Sequence, residues 1–223
     1  MADKKEVKVL TLPEGRLINC AFFTRDVYKD PETGAEGKPQ YKGEIAFDPK
    51  DVTGENTIED ALIDAAVAAW GPDAEDKFIN GKIISPFIDG DTLAEKREEN
   101  GKSGDAYKGK LVCRPNTTFN KHGQDAEGGI DVFDEEVKPI TGVNQQEIYP
   151  GCYGIAGVTI SCYKNNRGEK ALKFYLVAFQ KTRDGEKLVT PRDNTKLFKP
   201  LAKAASKDGE KAEDGGRRRR RAS

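Results

Sequence analysis

Tyr153-Gly154-Ile155-Ala156-Gly157-Val158-Thr159-Ile160-Ser161-Cys162-Tyr163 is followed by Lys164-Asn165-Asn166-Arg167-Gly168-Glu169 and then by Lys170-Ala171-Leu172-Lys173-Phe174-Tyr175-Leu176-Val177-Ala178-Phe179-Gln180-Lys181. Two alternating runs rich in β-branched and aromatic residues flank a stretch with turn chemistry, which predicts an antiparallel hairpin. Successive side chains on a strand point to opposite faces. On the first arm Ala156, Val158, Ile160 and Cys162 therefore share one face, and Tyr153, Thr159, Ser161 and Tyr163 the other. On the second arm Leu172, Phe174, Leu176 and Ala178 make the more continuously apolar face, expected to point into the core. Lys173, Tyr175, Val177, Phe179 and Lys181 are left on the outside.

Working outward, Arg16 to Thr24 reads as a first strand through Leu17, Ile18, Cys20, Phe22 and Phe23. A charged, Gly- and Pro-bearing loop leads on to a second strand at Tyr41 to Phe47, and the pair reads as a long hairpin. Thr57 to Trp70 is the one strongly helical segment, with Ile58, Leu62, Ala65, Ala66 and Ala69 on one stripe. Thr57-Ile58-Glu59-Asp60 resembles a capping box, and Gly71-Pro72 supplies a stop. Lys82 to Ile88, Lys108 to Arg114 and Ile130 to Phe133 read as further strands, and Leu93 to Glu98 as a short helix of low apolar content. The expected class is mainly β: an antiparallel β-barrel of five or slightly more strands, with one main inserted helix. Residues 1–14 form a lead and 15–200 the domain. After Pro200 the chain turns to Ala, Lys, Asp, Glu and Gly without aromatics, so 201–223 reads as a disordered tail ending in Arg217-Arg218-Arg219-Arg220-Arg221.

The 223 residues are 34% charged and 36% hydrophobic, with a mean hydropathy of -0.73. The charged start, with no long apolar run after it, predicts a cytosolic protein without a membrane span. Net charge is -1, but five of the 37 basic residues are the terminal arginines, which leaves the body acidic by six charges. Any nucleic-acid site must then be a local basic and aromatic surface. Cys20, Cys113, Cys152 and Cys162 are scattered without a Cys-x-x-Cys pair and read as reduced, buried hydrophobes; a structural zinc site does not fit. Asp89, Asp91 and Asp105 could hold Mg²⁺ in a nuclease, but Asp-Gly-Asp is equally turn chemistry, and His122 is the only imidazole. No phosphate-binding loop, nucleophile elbow or His-Glu-x-x-His motif occurs, so no catalytic residue, metal or cofactor is assigned.

Tyr153, Tyr163, Lys173, Tyr175, Phe179 and Lys181 combine ammonium groups for phosphates with rings on which bases can stack. That combination suits single-stranded nucleic acid. The alternative is that Tyr175 and Phe179 belong to the core, in which case Tyr41, Lys42, Tyr107 and Lys108 become the place to look. Arg217 to Arg221 would bind phosphates without reading bases.

One further reading rests on the order of Tyr41-Lys42-Gly43-Glu44-Ile45-Ala46-Phe47, the helix, Ile88-Asp89-Gly90-Asp91 and Glu147-Ile148-Tyr149-Pro150-Gly151-Cys152-Tyr153, with Tyr163-Lys164-Asn165-Asn166 after it. From about Gly15 to Leu188 this succession resembles a family of phage single-stranded-DNA-binding proteins, similar in style to the T7-type replication protein. The resemblance implies an OB-type barrel, binding of single-stranded DNA with little sequence preference, and a role in replication or recombination in the cytoplasm of the bacterial host. Replication or recombination proteins would be further partners. The arginine end departs from the acidic tails of many such proteins. A virion structural or assembly protein is the second class, and a Mg²⁺-dependent nuclease the third.

Overall fold

The computed structural model describes residues 8–30 and 33–188. Its strands are β1 (Leu10–Thr11), β2 (Gly15–Asp26), β3 (Gln40–Phe47), β4 (Phe87–Asp89), β5 (Leu111–Cys113), β6 (Asn116–Thr117), β7 (Asp131–Phe133), β8 (Tyr153–Lys164) and β9 (Lys170–Arg183). The helices are α1 (Pro49–Val52), α2 (Ile58–Trp70), α3 (Ala74–Ile79) and α4 (Gly90–Glu99), with a 3-10 turn at Gly142–Glu147. The class is mainly β, as expected.

β8 and β9 pair antiparallel from Tyr153↔Arg183 to Lys164↔Lys170. Asn165 shapes their turn, its side-chain oxygen accepting from the amides of Arg167 and Glu169, while Gly168 takes φ 80°. β2 pairs antiparallel with β3, and β3 with β6. β6 then meets β9, and β8 returns to β2, so β8, β2, β3, β6 and β9 close a ring of pairings. Leu17, Phe22, Tyr41, Ile45, Phe174 and Phe179 fill its core. Burial of such side chains stabilises by about 1.5–3 kcal/mol each.

α2 adds Ile58, Leu62 and Ala66 of the expected stripe to this core, while Ala65 is half-buried and Ala69, expected on the same stripe, is exposed. Its cap is not the expected box. Thr57 Oγ1 accepts from the Glu59 amide, and Asp60 accepts from Asn56 N rather than reaching back to Thr57. Gly71, at φ 88°, ends the helix as expected. A second, smaller core lies outside the ring, where Leu93 and Ala94 of α4 cover Ile18, Ala46, Tyr107 and Val112.

Several expectations are corrected. The ring is not purely antiparallel: β6 and β7 both run parallel to β9. The hairpin turn dictates direction on only one edge of β9, and distant segments meet the other edge. Lys82 to Ile88 is a strand only at Phe87–Asp89, with a single bridge from Ile84 to Ala171. Lys108 to Arg114 pairs only over Leu111–Cys113. α1, α3 and β1 add to the expected elements, each too short to show a period in the sequence. The expected tail, 201–223, lies outside the described residues.

Candidate nucleic-acid interface

Alternation along β9 holds only as far as Leu176. Val158 pairs with Leu176, but the next residue back on β8, Gly157, pairs with Ala178, so Val177 is an extra residue in the ladder. Such a bulge reverses which side chains face inward. Before it, Leu172, Phe174 and Leu176 are buried; after it, Phe179 and Lys181 are.

This corrects two of the expected outward residues. Phe179 is 1% exposed and packs on Phe22 at 4.9 Å between ring centroids. Gly154 faces it across the hairpin, where an added Cβ would come within 2.3 Å of the ring. Lys181 is also buried, its ammonium 2.7 Å from Asp184 and 5.9 Å from the centre of the Tyr149 ring. Ala178, expected inward, falls beyond the bulge as well. Tyr153 lies elsewhere: Arg183 stacks 3.4 Å from its ring centre and is itself held by Glu14. Arg217 to Arg221 lie outside the described residues.

The remaining three share the outer face. Lys173 and Tyr175 lie opposite Ser161 and Thr159, and Tyr163 stands further towards the turn. Tyr175 is 41% exposed. The Lys173 ammonium sits 4.6 Å from its ring centre. Burial draws the Lys173 pKa below the ordinary lysine value, and among the described residues no carboxylate pairs with it.

Lys173 and Tyr175 line a cavity of about 1270 Å³, together with Phe119 and Lys121 from the segment after β6 and Lys38 from the segment before β3. Phe119 is 53% exposed. The segment that carries it is anchored. Asn120 donates to Glu127 O and accepts from the His122 and Gln124 amides; the Tyr41 hydroxyl donates to Ala126 O and accepts from Gly129 N. Arg25 and Lys38 both pair with Asp125 at 2.8 Å.

A row of paired residues crosses the ring beneath this cavity. Ala21 pairs with Lys42, Lys42 with Asn116, Asn116 with Tyr175, and Tyr175 with Thr159. At roughly 4.8 Å per strand the row spans roughly 19 Å along the sheet. Smaller cavities continue it past Tyr175. Asn116 also lines one of about 320 Å³ beside Glu44 and Arg114, and Asn19 and Lys42 link that one to another of about 630 Å³ along β2.

The other candidates serve structure. Tyr41 and Tyr107 are core residues, Lys42 is paired with Asp26, and Lys108 with Glu98 and Asp105. Asp89 caps α4 by accepting from the Thr92 amide and hydroxyl, Asp91 accepts from Gly109 N, and Asp105 accepts from Ser103 and Lys108. All four cysteines are free, and burial pushes each thiol pKa up, Cys20 to about 12. Such thiols are poor nucleophiles at neutral pH. No helix among the described residues is long and apolar enough to cross a membrane.

Residues 21–210 match the family described as Enterobacter phage Enc34, ssDNA-binding protein. The chain belongs to that family. The C-terminally truncated single-stranded DNA-binding protein of bacteriophage Enc34 has a similar fold, with a TM-score of 0.55 at 17% identity over 81% of this chain and 88% of that one. The longer form of the same phage protein gives 0.52 at 17% identity, over 86% and 90% of the two chains. Bacteriophage T7 gp2.5, a single-stranded DNA binding protein, gives 0.51 at 17% identity over 90% of this chain and all of that one. No curated protein sequence matches.

In this member of the Enc34 family, sequence reasoning missed Phe119, Lys121, Lys38 and Asn116. One faint signal was available in Thr117-Thr118-Phe119-Asn120-Lys121, an aromatic and a cation in polar text where no strand pattern would bury the ring.

Proposed function

We propose that the chain binds single-stranded DNA through the outer face of its strand ring, with little sequence preference and without catalysis, and that the ring is an OB-type barrel. The observation that carries this reading is the cavity where the exposed rings of Tyr175 and Phe119 stand beside the ammonium groups of Lys173 and Lys121. Stacked bases contribute about 1–3 kcal/mol each and need faces that a duplex hides, while the ammonium groups meet phosphates. Family membership and the likeness in fold to two phage single-stranded-DNA-binding proteins support it. The acidic body suits a local site rather than a generally basic surface. Residues 15–200 make up the binding domain and 201–223 a tail. The protein acts inside the infected host cell, coating or presenting DNA to replication or recombination proteins.

The test is fluorescence anisotropy with labelled single-stranded and duplex oligonucleotides over a salt series, with and without Mg²⁺. Preference for single strands, affinity that falls with salt, and intact DNA in Mg²⁺ are expected. Equal binding of duplex, or cleavage, would overturn the reading.

A further inference from the structure

We infer that Arg25 and Lys38 form a phosphodiester-binding site whose place Asp125 holds in the free protein, so that an entering strand exchanges one anion for another; this rests on the single-stranded-DNA reading above. The two cations come from different elements, Arg25 from β2 and Lys38 from the segment before β3, and converge on one carboxylate. Arg25 Nη1 lies 2.8 Å from Oδ1 and Lys38 Nζ 2.8 Å from Oδ2. A phosphodiester carries the same single charge over two terminal oxygens, so a cation on each oxygen is an arrangement that it can take over.

Two further observations point to an anion beyond Asp125. Arg25 is left with spare donors. Its side chain is only 8% exposed, yet Nε and Nη2, the edge of a guanidinium that suits bidentate phosphate binding, have no hydrogen-bond partner among the described residues. Glu127 Oε1 stands 3.8 Å from Nε, too far for a hydrogen bond. Position is the second observation. Lys38 lines the large cavity that holds Tyr175 and Phe119, and Arg25 lines the cavity of about 630 Å³ along β2, so the Asp125 carboxylate bridges one residue of each.

The exchange asks little of the fold. Lys38 is 62% exposed and Asp125 39%, and an ion pair so open to water is weak. The segment that carries Asp125 also keeps its shape without that pair. Asn120 holds the His122 and Gln124 amides and Glu127 O, and the Tyr41 hydroxyl binds Ala126 O and Gly129 N. Lys38, with Arg25 adding to it, holds the Asp125 carboxyl below the ordinary aspartate value. It is therefore charged at neutral pH and repels a phosphate until the cations change partner. Asp125 thus subtracts from affinity, whatever the base sequence.

The experiment follows anisotropy of labelled oligothymidylate of about sixteen nucleotides, the upper site size of one OB-type unit, over a salt series. It compares the natural protein with Lys38→Gln, Asp125→Asn and the double variant, each checked by melting temperature. Lys38→Gln should reduce the slope of log affinity against log salt by roughly 0.7, the share of one phosphate. Asp125→Asn should bind about threefold to tenfold more tightly at low salt, and the double variant should lose most of that gain. An unchanged slope in Lys38→Gln would mean that Lys38 stays on Asp125 in the complex, and would overturn the inference. So would an Asp125→Asn protein that folds but binds no more tightly than the natural one, since Asp125 would then serve only to pin its segment. If Asp125→Asn fails to fold, the slope of Lys38→Gln, an exposed substitution, decides. Failure of oligothymidylate to bind the natural protein would instead count against the single-strand reading.

Discussion

Tyr175 and Phe179 lie four residues apart on one strand and do opposite work. Tyr175 presents a half-open ring beside the Lys173 ammonium, whereas Phe179 closes the core against Phe22. Tyr175→Ala should therefore weaken single-strand binding by about 1–3 kcal/mol with little change in melting temperature. Phe179→Ala should cost about 3–5 kcal/mol of folding stability, measured by denaturant titration, and leave the affinity of the folded fraction unchanged. Lys173 predicts a pH dependence. Burial lowers its folded pKa, so its charged form costs stability at neutral pH, and that cost disappears as pH rises through the lowered value. Binding runs the other way. A bound phosphate favours the ammonium, so affinity should start to fall with rising pH before the ordinary lysine value of about 10.4 is reached. Asp131, Lys38 and Lys121 line the same cavity and contribute to the field there. Lys173→Arg, which stays charged, should remove the early part of that fall in anisotropy titrations while Lys38 and Lys121 keep theirs.

At the scale of elements, the bulge at Val177 and the segment from Phe119 to Gly129 decide what the cavity contains. The bulge turns the outer face of β9 from a row of five candidates into a short patch, with the residues beyond it sent into the core. The segment supplies the opposite wall, and its shape depends on three hydrogen bonds from the buried Asn120 side chain. Each such bond contributes about 0.5–1.5 kcal/mol net. Asn120→Ala should speed amide hydrogen exchange locally, over 120–129, and lower affinity for single strands severalfold by releasing Phe119 and Lys121. Exchange in β8 and β9 should be unaffected, because their ladder does not involve this segment.

For the whole molecule, the proposed DNA-facing charges sit on a body that is acidic overall, with a run of five arginines at the far end of the chain. Removing Arg217 to Arg221 should reduce the slope of log affinity against log salt by roughly 0.7 for each phosphate they neutralise, read from anisotropy at several salt concentrations. An unchanged slope would leave those arginines outside the binding function. The hairpin, the long strands β2 and β3 and the capped helix α2 were all legible in the sequence, because alternation, helical period and turn chemistry are local and those elements are long enough to display them. The proposed surface was legible in part as rings interleaved with lysines: Lys173 and Tyr175, picked out that way, line the large outer cavity. What escaped was non-local. β6, of two residues, was too short for a pattern, and β4, β5 and β7, read as strands at Lys82 to Ile88, Lys108 to Arg114 and Ile130 to Phe133, shrink to three residues each because only there do neighbouring strands offer them a free edge. The fate of Phe179 and Lys181 turned on one extra residue in the β9 ladder, which composition does not announce, since a bulge is a property of two paired strands. Phe119 joined the site only because β6 pairs with β9 across nearly sixty residues of chain. Sequence by itself determined which residues could alternate, coil or turn; the closure of the ring decided which of those side chains face outward, because inside and outside exist only once the strands have met.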